Sequence, residues 1–166
     1  MSTSTLPFDE APDNPLDLVE QIVVEHGWPL DRPSDLELTT VVEGRWCDYR
    51  LWFSWREEPG ALQFSCAFDL RVEESHRTPV SLLLVLVNER MWLGHFDLWS
   101  RDGVLMFHHA LILGGAGVTA EQFETLVEVG LAECDRFYPA FGMVLSGANS
   151  PDEALIAAVL ETDGEA

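Results

Sequence analysis

The chain has 166 residues, 47% of them hydrophobic and 23% charged, which are the proportions of an ordinary globular protein. A chain of this length buries enough apolar surface to fold as one domain without disulfides or metals. Its 29 acidic and 9 basic residues give a formal net charge of −20, which repels phosphate backbones and anionic lipids and argues against nucleic acid or membranes as partners.

The first predicted element is a helix that follows a tail. Residues 1–13 are polar, contain proline and lack periodicity, so we expect a mobile tail there. Asn14 is a typical N-cap, Pro15 suits the first helical position, and Gly27 marks the end of the helix. Its apolar face carries Leu16, Val19, Ile22 and Val23.

Three strands with one apolar face are predicted next. Turns at Glu43-Gly44 and at residues 58–60 separate them. Period-two alternation favours an antiparallel meander with one buried face. The side chains on that face are Leu36, Leu38, Thr40 and Val42, then Cys47, Tyr49, Leu51, Phe53 and Trp55, then Leu62, Phe64, Cys66, Phe68 and Leu70.

A second helix and a hairpin follow the meander. The helix is predicted from Thr78 to Gly94, and it is apolar nearly all round in its first two turns, as is typical of a helix covered on most sides. Two strands, residues 95–101 and 104–113, are joined by Asp102-Gly103, which is a strong signal for a two-residue turn.

Two more helices complete the predicted fold. The glycines of residues 114–117 lack the Lys and Ser/Thr of a phosphate-binding loop. Thr119 and Gln122 form a capping box at the start of the third helix, which should kink or restart at Pro139, and a second capping box begins at Ser150. The order α-βββ-α-ββ-α plus a C-terminal helix predicts an α+β fold with an antiparallel sheet, in one domain of residues 14–161.

The remaining features bear on location. Residues 162–166 are short and acidic, and a mobile tail is expected there. The N-terminus lacks a signal-peptide pattern, and the longest apolar run, residues 82–87, is too short to cross a bilayer. Three cysteines without a C-x-x-C pair fit a reducing compartment. We therefore expect a cytoplasmic protein whose cysteines are core residues.

The predicted hairpin gathers side chains that suit a metal ion. A two-residue Asp102-Gly103 turn places Asp97 opposite His108, and His95 shares their face. Two histidines and a carboxylate are plausible ligands of a transition metal. An ordinary cross-strand ion pair explains the same residues, and we favour it. We expect no cofactor, and a metal-binding sensor or metal-dependent enzyme is the alternative.

Catalytic signatures are otherwise missing from the sequence. There is no G-x-S-x-G motif. Cys134 lies between Glu133 and Asp135, whose negative charges would raise the pKa of a thiol rather than activate it. We therefore expect a protein that is not an enzyme.

Tryptophans are the candidates for a binding surface. Trp46 and Trp52 share a strand face with Asp48 and Arg50, and Trp99 lies on the polar face of the hairpin. Exposed Trp and Arg side chains on a sheet are typical of protein-binding surfaces. A covering layer of helix would instead bury the tryptophans as core, and the sequence does not decide between these two interpretations.

Several separated motifs resemble one known family. The segments VNERMWLGHFDLWSRDGVLMFHHAL, CDRFYPAF and LSGANSPDEAL are similar to the YbjN family of bacterial sensory transduction regulators, and the likeness extends from Asn14 to about Gly164. The resemblance implies an α-β-β-β-α-β-β-α domain like that of type III secretion chaperones. It also implies a regulator or chaperone-like module that binds protein and has no catalytic residues.

The leading hypothesis is a non-enzymatic, protein-binding regulator or chaperone-like module of a bacterial sensory or stress pathway. A surface of the sheet or of the helices would receive an extended or helical client segment. The acidity of the chain favours a basic or amphipathic segment as client. A homodimer that uses the same surface is a further expectation.

Overall fold

The structure, a computed structural model, describes residues 14–163. The predicted tail of residues 1–13 therefore lies outside the described residues, as do residues 164–166 of the predicted C-terminal tail. The elements are α1 (Pro15–Glu25), β1 (Leu30–Ser34), β2 (Glu37–Glu43), β3 (Asp48–Arg56), β4 (Ala61–Arg71), α2 (Arg77–Asn88), β5 (His95–Trp99), β6 (Val104–Ile112), α3 (Ala120–Leu145) and α4 (Pro151–Asp163). Within residues 14–163, none of the helices combines the length and the apolar character that crossing a membrane requires.

All six strands form one antiparallel sheet in the order β1-β2-β3-β4-β6-β5. This architecture confirms the predicted α+β class. Strand β1 is an addition that the sequence did not reveal, because its segment LDRPS has no period-two alternation. Its Arg32 forms ion pairs with Asp17 and Glu20 of α1, which fix this strand at the edge of the sheet.

One face of the sheet forms the core together with the helices. Phe53 and Phe64 stack with their ring centroids 5.2 Å apart, and Phe123 of α3 packs 5.1 Å from Phe53. Cys66 and Cys134 are fully buried in the same core, as predicted, and Cys47 is half-buried. This packing leaves the opposite face of the sheet, called here the open face, on the outside of the fold.

Helix α2 departs from its prediction in length and in burial. It ends at Asn88 rather than at Gly94, and Leu82 and Val85 are more than half exposed. Residues 89–94 instead form a turn that exposes 98% of Trp92. The apolar pattern reflects one buried stripe plus an uncovered one, not a helix covered on most sides.

Helix α3 continues without interruption through Pro139 to Leu145. The predicted restart at Pro139 is therefore wrong. Phe137, Ala140 and Phe141 are completely buried on either side of the proline, and their packing compensates for the one backbone hydrogen bond that proline removes. The capping boxes at Thr119 and Ser150 are both present.

Candidate functional site

The turn of the β5–β6 hairpin is longer than predicted. Trp99 pairs with Val104, so the connection comprises residues 100–103 rather than Asp102-Gly103 alone. Gly103 adopts a positive φ of 67° and donates its N–H to the carbonyl of Trp99 at 2.7 Å. A glycine in this conformation closes four-residue connections as well as two-residue ones, which is why the sequence signal predicted the wrong length.

The longer turn changes the partners across the hairpin. His95 lies opposite His108, and Asp97 lies opposite Met106, so the predicted pairing of Asp97 with His108 is wrong. The shift between predicted and observed partners is two residues, and an even shift keeps every side chain on its predicted face. His95, Asp97 and His108 therefore still share the open face.

The two histidines and Asp97 are not arranged together as a set of three metal ligands. The rings of His95 and His108 lie 5.5 Å apart, but Nδ1 of His108 is hydrogen-bonded to the hydroxyl of Ser65 at 2.8 Å. Asp97 is exposed and accepts the backbone N–H of Leu98. Within residues 14–163, no group of three or more His, Cys, Asp or Glu side chains is placed to hold a metal ion. The structure gives the metal-binding alternative no support.

His108 is nevertheless an unusual residue, because it is 93% buried on the open face. Burial is the main cause that lowers its pKa, and the nearby His95 lowers the pKa further, while Asp97 acts in the opposite direction. The imidazole is therefore neutral at pH 7. It contributes an apolar ring and one hydrogen bond to the site rather than a charge.

Trp52, Trp99, Met106 and His108 form what we call the aromatic cleft. The ring centroids of Trp52 and Trp99 are 6.3 Å apart, and the ring of Trp99 stacks on His108 at 6.5 Å. The cleft has a volume of about 280 Å³. The residues that line it are Glu37, Arg50, Trp52, Ser54, Gln63, Ser65, Ala67, Trp99, Met106 and His108.

Every residue that lines the aromatic cleft comes from a strand. The described helices contribute nothing to its walls, so within residues 14–163 no second layer covers the two tryptophans. Trp99 remains 43% exposed, whereas Met106, which also lines the cleft, is almost completely buried. The structure thus favours the surface interpretation for Trp52 and Trp99 over the core interpretation. Arg50 lies at the rim, exposed on the same face.

Trp46 belongs elsewhere in the fold, which corrects the prediction that it shares a face with Trp52. Strand β3 begins only at Asp48, and Trp46 lies in the preceding turn. Its indole Nε1 donates to the backbone carbonyl of Asp135 in α3 at 2.9 Å. The Asp135 carboxylate in turn accepts the hydroxyl of the buried Tyr49 at 2.8 Å. Trp46 therefore joins the end of the sheet to α3.

One member of the cleft, Met106, was not singled out from the sequence, and His108 was considered there only as a possible metal ligand. Met106 and His108 read as the polar-face positions of a hairpin, where exposure is the usual outcome. Both are instead almost completely buried, and the ring of Trp99 stacks on His108. The burial of Met106 and His108 follows from two facts taken together. Trp52 and Trp99 lie on strands β3 and β5, and β6 lies between these strands in the order β3-β4-β6-β5.

Comparisons with known proteins agree with the fold. Residues 15–143 match the family model YbjN, described as "Putative bacterial sensory transduction regulator". The crystal structure of YbjN from E. coli, described as a putative transcription regulator, matches with a TM-score of 0.51 at 20% sequence identity, over 81% of this chain and 90% of that chain. No curated protein matches the chain. The family match covers most of the sequence and coincides with the whole sheet, and the chain therefore belongs to the YbjN family.

Proposed function

We propose that the protein is a non-enzymatic regulator of a bacterial sensory pathway that acts by binding a client protein at the aromatic cleft. The observation that carries this proposal is the pair Trp52 and Trp99 on a sheet face that no described helix covers. The family description supports a regulatory role. The expected client segment is basic or amphipathic, because the whole chain carries a charge of −20.

The chemistry of the cleft suits a protein segment better than a polar metabolite. Tryptophan and arginine are the residues most enriched in the energetic centres of protein interfaces, and each tryptophan can bury a large apolar area at low entropic cost. The indole Nε1 of Trp52 is buried and has no hydrogen-bond partner among the described residues. A carbonyl of a bound segment would satisfy this donor after a small movement of the ring.

Alanine substitution in the cleft tests the proposal. Trp99→Ala and Trp52→Ala should each reduce the capture of client proteins from a lysate of the source organism. Crosslinking and mass spectrometry measure this capture. The reason is that truncating a central tryptophan of an interface typically costs about 2 kcal/mol or more of binding free energy. Trp46→Ala is the matched control, since Trp46 is 45% exposed, almost the same as Trp99, but lies outside the cleft.

The control should retain the clients that the two cleft variants lose. Circular dichroism and the thermal unfolding midpoint establish that each variant is folded. Unchanged capture by folded Trp52→Ala and Trp99→Ala variants would show that the cleft is not the binding surface.

A further inference from the structure

Strand β6 is longer than its outer neighbour, and part of it has a neighbour on one side only. Strand β5 pairs with β6 no further than His108, whereas β4 pairs with β6 as far as Ile112. Among the described strands, none pairs with the outer edge of residues 109–112, which we call the free edge. Ala110 is exposed, and Ile112 is 79% exposed at this edge.

The hydrogen bonds of Phe96 reveal which backbone groups point to the free edge. Its N–H and its carbonyl are both bonded to the side-chain amide of Asn88, at 2.8 and 2.9 Å. They therefore point away from β6, and the backbone groups of the opposite residue, Phe107, point away from β5.

The alternation then continues along β6, whose pairing with β4 is regular from Met106 to Ile112. The N–H and carbonyl groups of Ala110 and Ile112 consequently point to the free edge. Leu113 agrees with this alternation, because its N–H points the other way and bonds to the carbonyl of Gly60 at 2.8 Å. No bond to the edge-facing groups of Ala110 or Ile112 is found within residues 14–163.

An apolar groove lies directly beside this edge, on the core side of the sheet. Its volume is about 340 Å³. It runs between β6, the turn before β5 and the first half of α3, and it is lined by Leu93, Phe107, His109, Leu111, Glu121, Gln122, Thr125, Leu126 and Val129. A strand added at the free edge would direct every second side chain toward this groove.

The two outer strands of the sheet do not offer a comparable edge. Asn88 occupies the position next to Phe96 that a further strand would take on β5. Strand β1 contains Pro33, which cannot donate a hydrogen bond, and has an irregular register. Strand addition is therefore best accommodated at residues 109–112.

The charge around the groove selects its occupant. Glu121 lines the groove, and Glu124 and Glu128 are exposed further along α3. The guanidinium of Arg90, at the start of the turn before β5, is directed back to the carbonyl of Leu86. Together with the net charge of −20 on the chain, Glu121 favours lysine or arginine next to the apolar side chains of the occupant.

We propose that the free edge of β6 at Ala110 and Ile112 adds an extended segment of a partner protein, with alternate apolar side chains in the groove and basic residues on its flanks. Main-chain hydrogen bonds would supply affinity, and the groove would supply specificity. This inference rests on the proposed protein-binding function, and it adds a second contact surface to the aromatic cleft.

Selection from a displayed library of random linear peptides tests the proposal on the full chain. The enriched peptides should alternate apolar residues and carry Lys or Arg on their flanks. Ala110→Pro removes an edge-facing N–H without removing a bond to β4. It should lower the affinity for an enriched synthetic peptide about ten-fold, because about one hydrogen bond to the peptide is lost. Ala110→Ser keeps the N–H and is the matched control, expected to bind as the unchanged protein does.

A second variant protects the test against misfolding of the proline variant. Thr125 is exposed on α3 and lines the groove. Thr125→Trp should therefore fill the groove and lower the affinity for the same peptide, while the helix remains folded. Glu121→Lys should weaken the binding of peptides with basic flanks more than the binding of matched peptides with neutral flanks. Fluorescence anisotropy gives the affinities.

Four results would overturn the proposal. The first is no enrichment of peptides, and the second is equal binding by the unchanged protein and by folded Ala110→Pro and Thr125→Trp variants. The third is loss of peptide binding only in Trp52→Ala and Trp99→Ala, in which case the edge inference fails and the aromatic cleft stands. The fourth is displacement of the peptides by a synthetic peptide of residues 1–13, which would assign the edge to this chain's own N-terminal segment.

Discussion

His108 shows how a single buried side chain connects the cleft to pH. Its pKa is lowered chiefly by burial and then by His95, while Asp97 opposes the shift; Ser65 and Trp99 complete its surroundings with a hydrogen bond and a stacked ring. Because the folded pKa lies below the ordinary value of about 6.5, the unfolded chain binds more protons in mildly acidic solution. The contribution of neutral His108 to stability is thus present above about pH 6.5 and is lost as the pH falls through its folded pKa.

Replacing His108 should therefore reduce the pH dependence of stability. The free energy of unfolding, measured with urea at several pH values between about 5 and 8, should fall less steeply toward acid in His108→Gln than in the unchanged protein. His109→Gln should reduce the pH dependence as well, since burial and then His95 lower the pKa of His109 too. Parallel curves for His108→Gln and the unchanged protein would mean that His108 does not titrate in this range.

Two glycines of α3 differ in the space that their surroundings leave for a side chain, although both lie inside the same helix. A Cβ at Gly130 would overlap Cε1 of Phe64 and lie 3.1 Å from Cζ of the same ring, whereas a Cβ at Gly142 would meet nothing within 4 Å. Alanine gains about 0.8–1 kcal/mol over glycine inside a helix. Overpacking a core costs about 1–3 kcal/mol.

The two substitutions should therefore have opposite signs. We expect Gly130→Ala to lower the free energy of unfolding by up to about 2 kcal/mol, and Gly142→Ala to raise it by up to about 1 kcal/mol. Urea denaturation of both variants measures this. A stabilised Gly130→Ala variant would show that α3 can move away from β4 at little cost.

Asn88 ends α2 and also completes the edge of β5. Asn88→Ala leaves the N–H and carbonyl of Phe96 without their partner and should destabilise the protein by about 1–3 kcal/mol. Asn88→Asp keeps the acceptor for the N–H but loses the donor to the carbonyl. Amide hydrogen exchange should therefore be fast at Phe96 in the alanine variant and slower in the aspartate variant, and equal rates in both would contradict this role.

The elements differ in how well the sequence predicted them, and the reasons are physical. Capping residues and alternation are local, so α1, the start of α3, α4 and strands β2 to β4 were predicted from Asn14, Thr119, Ser150 and the period-two pattern. The length of the hairpin turn was not, because Gly103 suits two turn lengths. Strand β1 was missed because its position depends on contacts of Arg32 with another element, which no local pattern encodes.

At the scale of the whole molecule, the faces of the sheet were predictable and their coverage was not. Alternation assigns Trp52 and Trp99 to the open face, but only the positions of all the described helices on the other side establish that this face is uncovered. The same holds for the free edge of β6, which exists because β5 is shorter than β6. Relative strand lengths and helix placement depend on tertiary contacts, which local sequence patterns do not reveal.

The net charge of −20 leads to a prediction about salt that separates stability from binding. Self-repulsion of a strongly acidic chain opposes the compact state, and salt screens it, since the Debye length falls from about 10 Å at 0.1 M to about 3 Å at 1 M. Ion pairs such as Arg32 with Asp17 are weakened by the same screening, but exposed pairs contribute only about 0.2–1 kcal/mol each.

The repulsion should prevail, so the thermal unfolding midpoint should rise between low salt and about 0.5 M NaCl. KCl should act equally, because screening depends on ionic strength and not on the cation. Affinity for a peptide with basic flanks should fall over the same range, because that attraction is screened as well. A midpoint that falls with salt would mean that local ion pairs, not net charge, dominate the electrostatics of the fold. An affinity that does not change with salt would mean that the acidic surface takes no part in choosing the partner.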